Sequence, residues 1–140
     1  MGLLDKLFGG GEVFPPLDPS SAAAARIEGQ RAALEEMAGR VRDRLELVPA
    51  EKMVLAFIGN PPERFGVAWF TNGEEHNFKR LLSEKGLAQQ DLQRISQLLA
   101  EAYERHQQEP RFTVVLAGRK LTVNPAPSLA TDVARVIGSV

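Results

Sequence analysis

The chain contains no cysteine. That excludes a disulfide scaffold, a thiol nucleophile, an iron–sulfur cluster and a cysteine-type zinc site, and it suits a reducing compartment. Histidine is scarce as well. His76 and His106 are the only two, and no His-x3-His or Glu-x-x-His pair surrounds them. No Asp/Asn-rich loop with a central glycine and a closing glutamate is present either, so neither a metal nor a cofactor is expected. The G-x-x-x-x-G-K-[ST], G-x-G-x-x-G and G-x-S-x-G motifs are missing. No excess of either charge exists: 17 basic residues face 18 acidic ones, for a net charge of -1. Polyanion binders draw affinity from phosphate contacts and carry a basic excess, so nucleic acid is not an expected partner. No stretch approaches the ~20 apolar residues of a spanning helix. The opening residues lack the layout of a signal peptide, since no basic region precedes their apolar part and Asp5 breaks it. A cytoplasmic protein is expected.

What remains is globular composition in 140 residues, with 44% hydrophobic and 25% charged residues, enough for one domain with its own core. Residues 1–18 read as a flexible amphipathic head followed by a Pro/Gly-rich lead-in, and residues 19–140 as a single α+β domain. Leu3, Leu4, Leu7 and Phe8 recur at helical spacing, with Asp5 and Lys6 on the other side and Gly9, Gly10 and Gly11 as a hinge. This head reads as a peripheral membrane foot, a partner-docking tag or an ordinary chain terminus. Eight residues bury little, and stable anchoring generally takes a second signal.

The domain reads as the order α-βββ-α-ββ-α around an antiparallel sheet of about five strands. Asp18 as N-cap and Pro19 as first helical residue open a helix predicted to run to about Leu47. Its apolar stripe is Ile27, Leu34, Met37, Val41, Leu45 and Val48. Ala22, Ala25, Gly29 and Ala33 form a small-residue stripe, a candidate contact with a second subunit. Residues 52–58 are apolar on both alternating faces, the pattern of a central strand covered on both sides. Residues 64–70 form a second strand, Asn72-Gly73 a type I′ turn, and residues 74–78 the returning strand. Helices are predicted from about Lys79 to Lys85 and from Gln89 to His106, then a second hairpin over 112–123 and a terminal helix from about Ser128.

Residues 78–96 resemble the first two helices of a phage-repressor-type helix-turn-helix: a basic helix ends in Glu84-Lys85-Gly86-Leu87 and a helix follows. Beyond residue 96 the helix continues through Leu98, Leu99, Glu101 and Glu104 rather than turning into a recognition helix, so the segment reads as a corner with Gly86 as C-cap. The element order over roughly residues 19–140 is similar to that of class I type III secretion chaperones. That likeness implies a small, cytoplasmic, typically dimeric protein that binds extended segments of a client.

Two kinds of function follow from these readings. The first is a non-enzymatic protein-binding or adaptor/chaperone-like domain, with self-association through the small-residue stripe and with Trp69 as anchor if its face is uncovered. The second is an enzyme of unrecognised type with a site between the 60–64 loop and the 72–77 hairpin. There Arg64, Glu74 and His76 offer an arginine, a carboxylate and an imidazole, since Glu74 and His76 share a strand face. The alternative for that strip is a solvated hairpin tip whose charges block edge pairing.

Overall fold

In the computed structural model the described residues are 14–139. They form one α+β domain of five helices and a six-stranded mixed sheet. The elements are α1 (Ala22–Gly29), α2 (Arg31–Arg40), β1 (Leu45–Pro49), β2 (Val54–Asn60), β3 (Arg64–Thr71), β4 (Glu74–Asn77), α3 (Phe78–Lys85), α4 (Gln89–Arg105), β5 (Phe112–Leu116), β6 (Arg119–Val123) and α5 (Pro127–Gly138). The strand order is β4-β3-β2-β1-β6-β5, antiparallel except where β1 pairs parallel with β6.

The sheet carries helices on both faces. On one side Ile27, Leu34 and Met37 of α1 and α2 pack on Leu45, Leu47, Val54, Ala56, Phe70, Leu121 and Val123. On the other, Leu81, Ile95, Leu99, Tyr103, Leu129 and Val133 of α3, α4 and α5 pack on Val48, Leu55, Phe57, Val67 and Trp69. Residues 54–57 are buried whichever way they point, which is why the 52–58 run lacks alternation.

The predicted first helix needs correction. It starts at Ala22, because Ser21 rather than Asp18 is the N-cap and its Oγ accepts from the Ala24 N–H at 3.1 Å. It breaks at Gln30, whose side-chain carbonyl accepts from the Gly73 N–H at 2.9 Å. It ends at Arg40, and residues 45–49 are a sixth strand. Two forces override the helical stripe. The Arg119 guanidinium caps the end of α2, donating to the carbonyls of Ala38 (3.0 Å), Val41 and Asp43 (2.9 Å). Beyond it, β1 finds backbone partners on both sides, in β2 and β6.

Other expectations hold. Asn72 and Gly73 both have positive φ, 53° and 75°, as a type I′ turn requires. Gly86 is left-handed at φ 63° and caps α3. No third helix follows α4 as a repressor-type motif would need, because the chain passes to β5. Among the described residues no helix is long and apolar enough to cross a membrane. Leu3, Leu4, Leu7 and Phe8 lie outside the described residues.

Candidate functional site

The sheet register separates the proposed catalytic trio. Arg64 pairs with Asn60 at one end of the β2–β3 ladder, whereas Glu74 pairs with Thr71 at the other end of β3. Seven strand residues separate those ends, about 23 Å. Each side chain is otherwise engaged or exposed. Glu74 pairs with Arg80 at 3.2 Å. The His76 ring stacks on Trp69, centroids 6.1 Å apart and planes 16° from parallel. Arg64 is exposed. The three residues, expected together near the 60–64 loop and the 72–77 hairpin, are thus not brought together: Arg64 lies at the far end of β3 from Glu74 and His76.

The partner-binding residues divide. Trp69 is only 6% exposed, covered by His76 and by the edge of Phe78, so it is core and not a surface anchor. Ala22, Ala25 and Gly29 lie exposed on α1, but the break at Gln30 puts Ala33 on a different helix, where it packs half-buried against the core. The four therefore do not form one continuous stripe.

A cluster that the residue patterns did not flag lies at the start of β1. Glu46 has no exposed surface, and it is the one charged side chain among the described residues that is fully buried. Its carboxylate accepts from the Tyr103 hydroxyl at 2.8 Å and from Arg111 Nε at 2.9 Å, and Arg44 approaches at 3.1 Å. Arg111 also donates to the Gln107 carbonyl at 2.9 Å, tying the start of β5 to the end of α4. Burial first, then the neighbouring carboxylate, pushes the Tyr103 phenol above its ordinary value. The available signal was a glutamate inside the apolar run Leu45-Glu46-Leu47-Val48. A buried charge of this kind needs partners. Every acceptor of the carboxylate is committed to a neighbour in the fold, so the arrangement fastens elements together.

A histidine–carboxylate pair occurs at the α4–α5 contact. His106 Nε2 lies 3.0 Å from Asp132 Oδ2, with Arg105 at 3.2 Å from the same oxygen. The bond to His106, aided by Arg105, outweighs burial and holds the Asp132 carboxyl below its usual range. Among the described residues no hydroxyl bonds to the imidazole. Nor is any group of three or more His, Cys, Asp or Glu side chains gathered there as a metal would need.

The most open feature is the β5 edge. Successive pairs of an antiparallel ladder alternate between exchanging hydrogen bonds and not. The β5–β6 register and the bonds of Thr113 fix the phase: Thr113 and Val115 turn their N–H and C=O away from β6. Residues 14–17 cover Thr113. Val115 has no outward partner among the described residues, and its side chain is 57% exposed, the most of any large hydrophobic residue there. On the α1 face the edge borders a cavity of about 370 Å³ lined by Leu17, Pro19, Ala24, Ala25, Ile27 and Val114 together with the charged Glu28 and Arg31. Ala25 is the one member of the small-residue stripe found in that lining.

The opposite edge is closed. β4 has four residues, and the outward Glu75 carbonyl accepts from Arg80 at 2.5 Å. The Glu75 carboxylate is held by both oxygens to Arg40 Nη2, at 2.7 and 2.8 Å.

Comparison with known proteins found no match: no family model, no curated protein and no solved structure resembles the chain.

Proposed function

We propose that this chain is a cytoplasmic, non-enzymatic protein-binding domain of the adaptor or chaperone-like kind, and that it holds an extended segment of another protein on the β5 edge. One observation carries the reading. Among the described residues, unpaired backbone groups, an exposed apolar side chain and an apolar groove coincide at Val115 and Val114, next to Leu17, Ala25 and Ile27. An exposed edge is a template for pairing with another chain, and proteins ordinarily block such edges. Strand addition uses this combination: backbone bonds supply affinity and pockets for alternate side chains supply specificity. The separation of Arg64 from Glu74 and His76 along β3 favours this reading over the enzymatic one.

The test places a photoreactive residue at position 115 of the full chain in its native host, with a control at the exposed Gln97 on α4. A discrete adduct at 115 and none at 97 is expected. Mass spectrometry should map it to an extended partner segment, and Val115→Lys should abolish the complex. Absence of an adduct at 115, or adducts only between copies of this chain, would refute the reading.

A further inference from the structure

The β5 edge already holds an occupant of known chemistry, this chain's own residues 14–17. They run parallel to β5. The Thr113 N–H donates to the Pro15 carbonyl at 2.9 Å, and the Leu17 N–H donates to the Thr113 carbonyl at 2.8 Å. Pro16 stands between them, opposite Thr113. A parallel pair draws its bonds from the residues on either side of that position, so proline costs nothing there. Leu17 lies alongside Val114 and lines the groove with Ala24, Ala25 and Ile27.

The strap stops for reasons written in its sequence. Continuing the pattern, the Val115 N–H would donate to the Leu17 carbonyl, and the Val115 carbonyl would accept from the N–H of residue 19. Residue 19 is proline and has no N–H. Asp18, whose place along the strap falls beside the exposed Val115, gives its carboxylate to Ser20 and its carbonyl to Ser21. The strap thus fills half of the edge, and among the described residues the other half has no backbone partner.

From this juxtaposition we infer that residues 14–17 are a built-in stand-in for a partner's strand. The partner is an extended segment that displaces the strap, lies parallel to β5 and continues past Val115. It presents an apolar side chain where this chain has Leu17, an apolar β-branched one where it has Asp18, and an N–H where it has Pro19. Proline is tolerated where this chain has Pro16. This inference rests on the protein-docking reading above and adds the direction, the register and the competitor.

A fluorescein-labelled peptide, Val-Phe-Pro-Pro-Leu-Val-Thr-Val, tests it by anisotropy against the full chain. A second peptide with Asp-Pro in place of Val-Thr repeats the chain's own residues 13–19. The first is expected to bind more tightly than the second. Leu17→Ala in the protein weakens the competing strap and should lower the apparent Kd about tenfold. Val115→Pro removes an outward N–H without touching the β5–β6 ladder and should cancel the advantage of the first peptide. Circular dichroism checks that both variants fold. The wild-type chain gives an independent readout, because saturating peptide should shift the Thr113 and Val115 amide NMR signals and leave Glu75 unmoved. Binding of equal strength to all three proteins, binding to none, or a Leu17→Ala dimer that excludes the peptide would each overturn the inference. A partner crosslinked at position 115 but captured equally by Leu17→Ala would overturn strap displacement and leave the docking reading standing. No crosslink at 115 would remove the docking reading itself.

Discussion

Replacing Glu46 by glutamine separates shape from charge at the most demanding point of the core. The carboxylate is fully buried and receives Tyr103 at 2.8 Å, Arg111 at 2.9 Å and Arg44 at 3.1 Å. Glutamine fits the space, but its amide nitrogen must face a guanidinium donor in either orientation. Arg111, whose side chain is 13% exposed, then loses its counter-ion. Breaking one side of a buried pair costs about 3 kcal/mol or more, whereas Arg44, which is 43% exposed, adds about 1 kcal/mol at most. For a chain of 140 residues a 3 kcal/mol loss lowers Tm by about 10 °C. Urea unfolding followed by the single tryptophan, Trp69, reads the loss directly, with an unchanged m-value expected. A second variant sharpens the argument. Removing the network together (Glu46→Met, Tyr103→Phe, Arg111→Met) takes away the desolvation cost along with the attraction, so it should cost less than Glu46→Gln alone. A loss below about 1 kcal/mol for Glu46→Gln, or simple additivity in the combined variant, would refute the description of a buried charge held by its partners.

Three further outcomes are expected. Tyr103 is the only tyrosine, so absorbance near 295 nm titrates it alone. Its midpoint should lie above the ordinary phenol value of 10.0 in the folded chain and fall in Glu46→Gln. Because the folded phenol is the weaker acid, the stability linked to it is present below the unfolded value and declines as pH rises through the folded one. Asp132 carries the opposite sign. Its folded value is depressed below 3.8, so the α4–α5 clasp contributes fully above that pH and is lost as pH falls through the depressed value. Asp132→Asn should flatten this acid limb of the stability curve, and an unchanged limb would count against the clasp. Arg119→Ala uncaps α2 and should cost about 1–2 kcal/mol in urea unfolding. Arg119→Lys should recover less than half of that, since one ammonium cannot reproduce a planar fork on three carbonyls.

The local pattern of the chain was legible wherever local chemistry decides the outcome. The Asn72-Gly73 turn, the Gly86 cap and the doubly apolar β2 each follow from nearby residues. The stretch 30–49 was not, because its outcome depends on distant partners. Leu45 and Val48 continue a helical spacing from Met37 and Val41, yet β1 inserts between β2 and a strand about 75 residues later in the chain. The arginine that stops α2 lies in that same late hairpin. The parallel β1–β6 pair was hidden for the same reason, since hairpin signals speak only for neighbours in sequence. The functional residues split along this line too. Glu74 and His76 do share a strand face, but distance along β3 separates them from Arg64. Val115 gave no signal at all, because an edge strand and a covered strand have the same composition until the sheet order is known.

The two edges of the sheet differ in what it takes to open them, and this difference supports the docking surface proposed at β5. At β4, opening must break the Arg80 bond to the Glu75 carbonyl and the two-oxygen grip of Arg40 on Glu75, and α3 begins directly after the strand. At β5, two backbone hydrogen bonds and a half-buried leucine hold the strap. Two such bonds contribute about 2 kcal/mol net, and partial burial of one leucine contributes about 1–2 kcal/mol more. A partner strand that restores both bonds and refills the groove gains over the strap through the two further bonds at Val115, about 2 kcal/mol net, and through burial of the Val115 side chain, and these gains work against the cost of association. At β4 the outward Glu75 carbonyl is already matched to Arg80, and the strand is only four residues long. The β4 edge is thus held by charged side chains, whereas the β5 edge is held by a short strap of the chain's own backbone, the feature on which the proposed displacement rests.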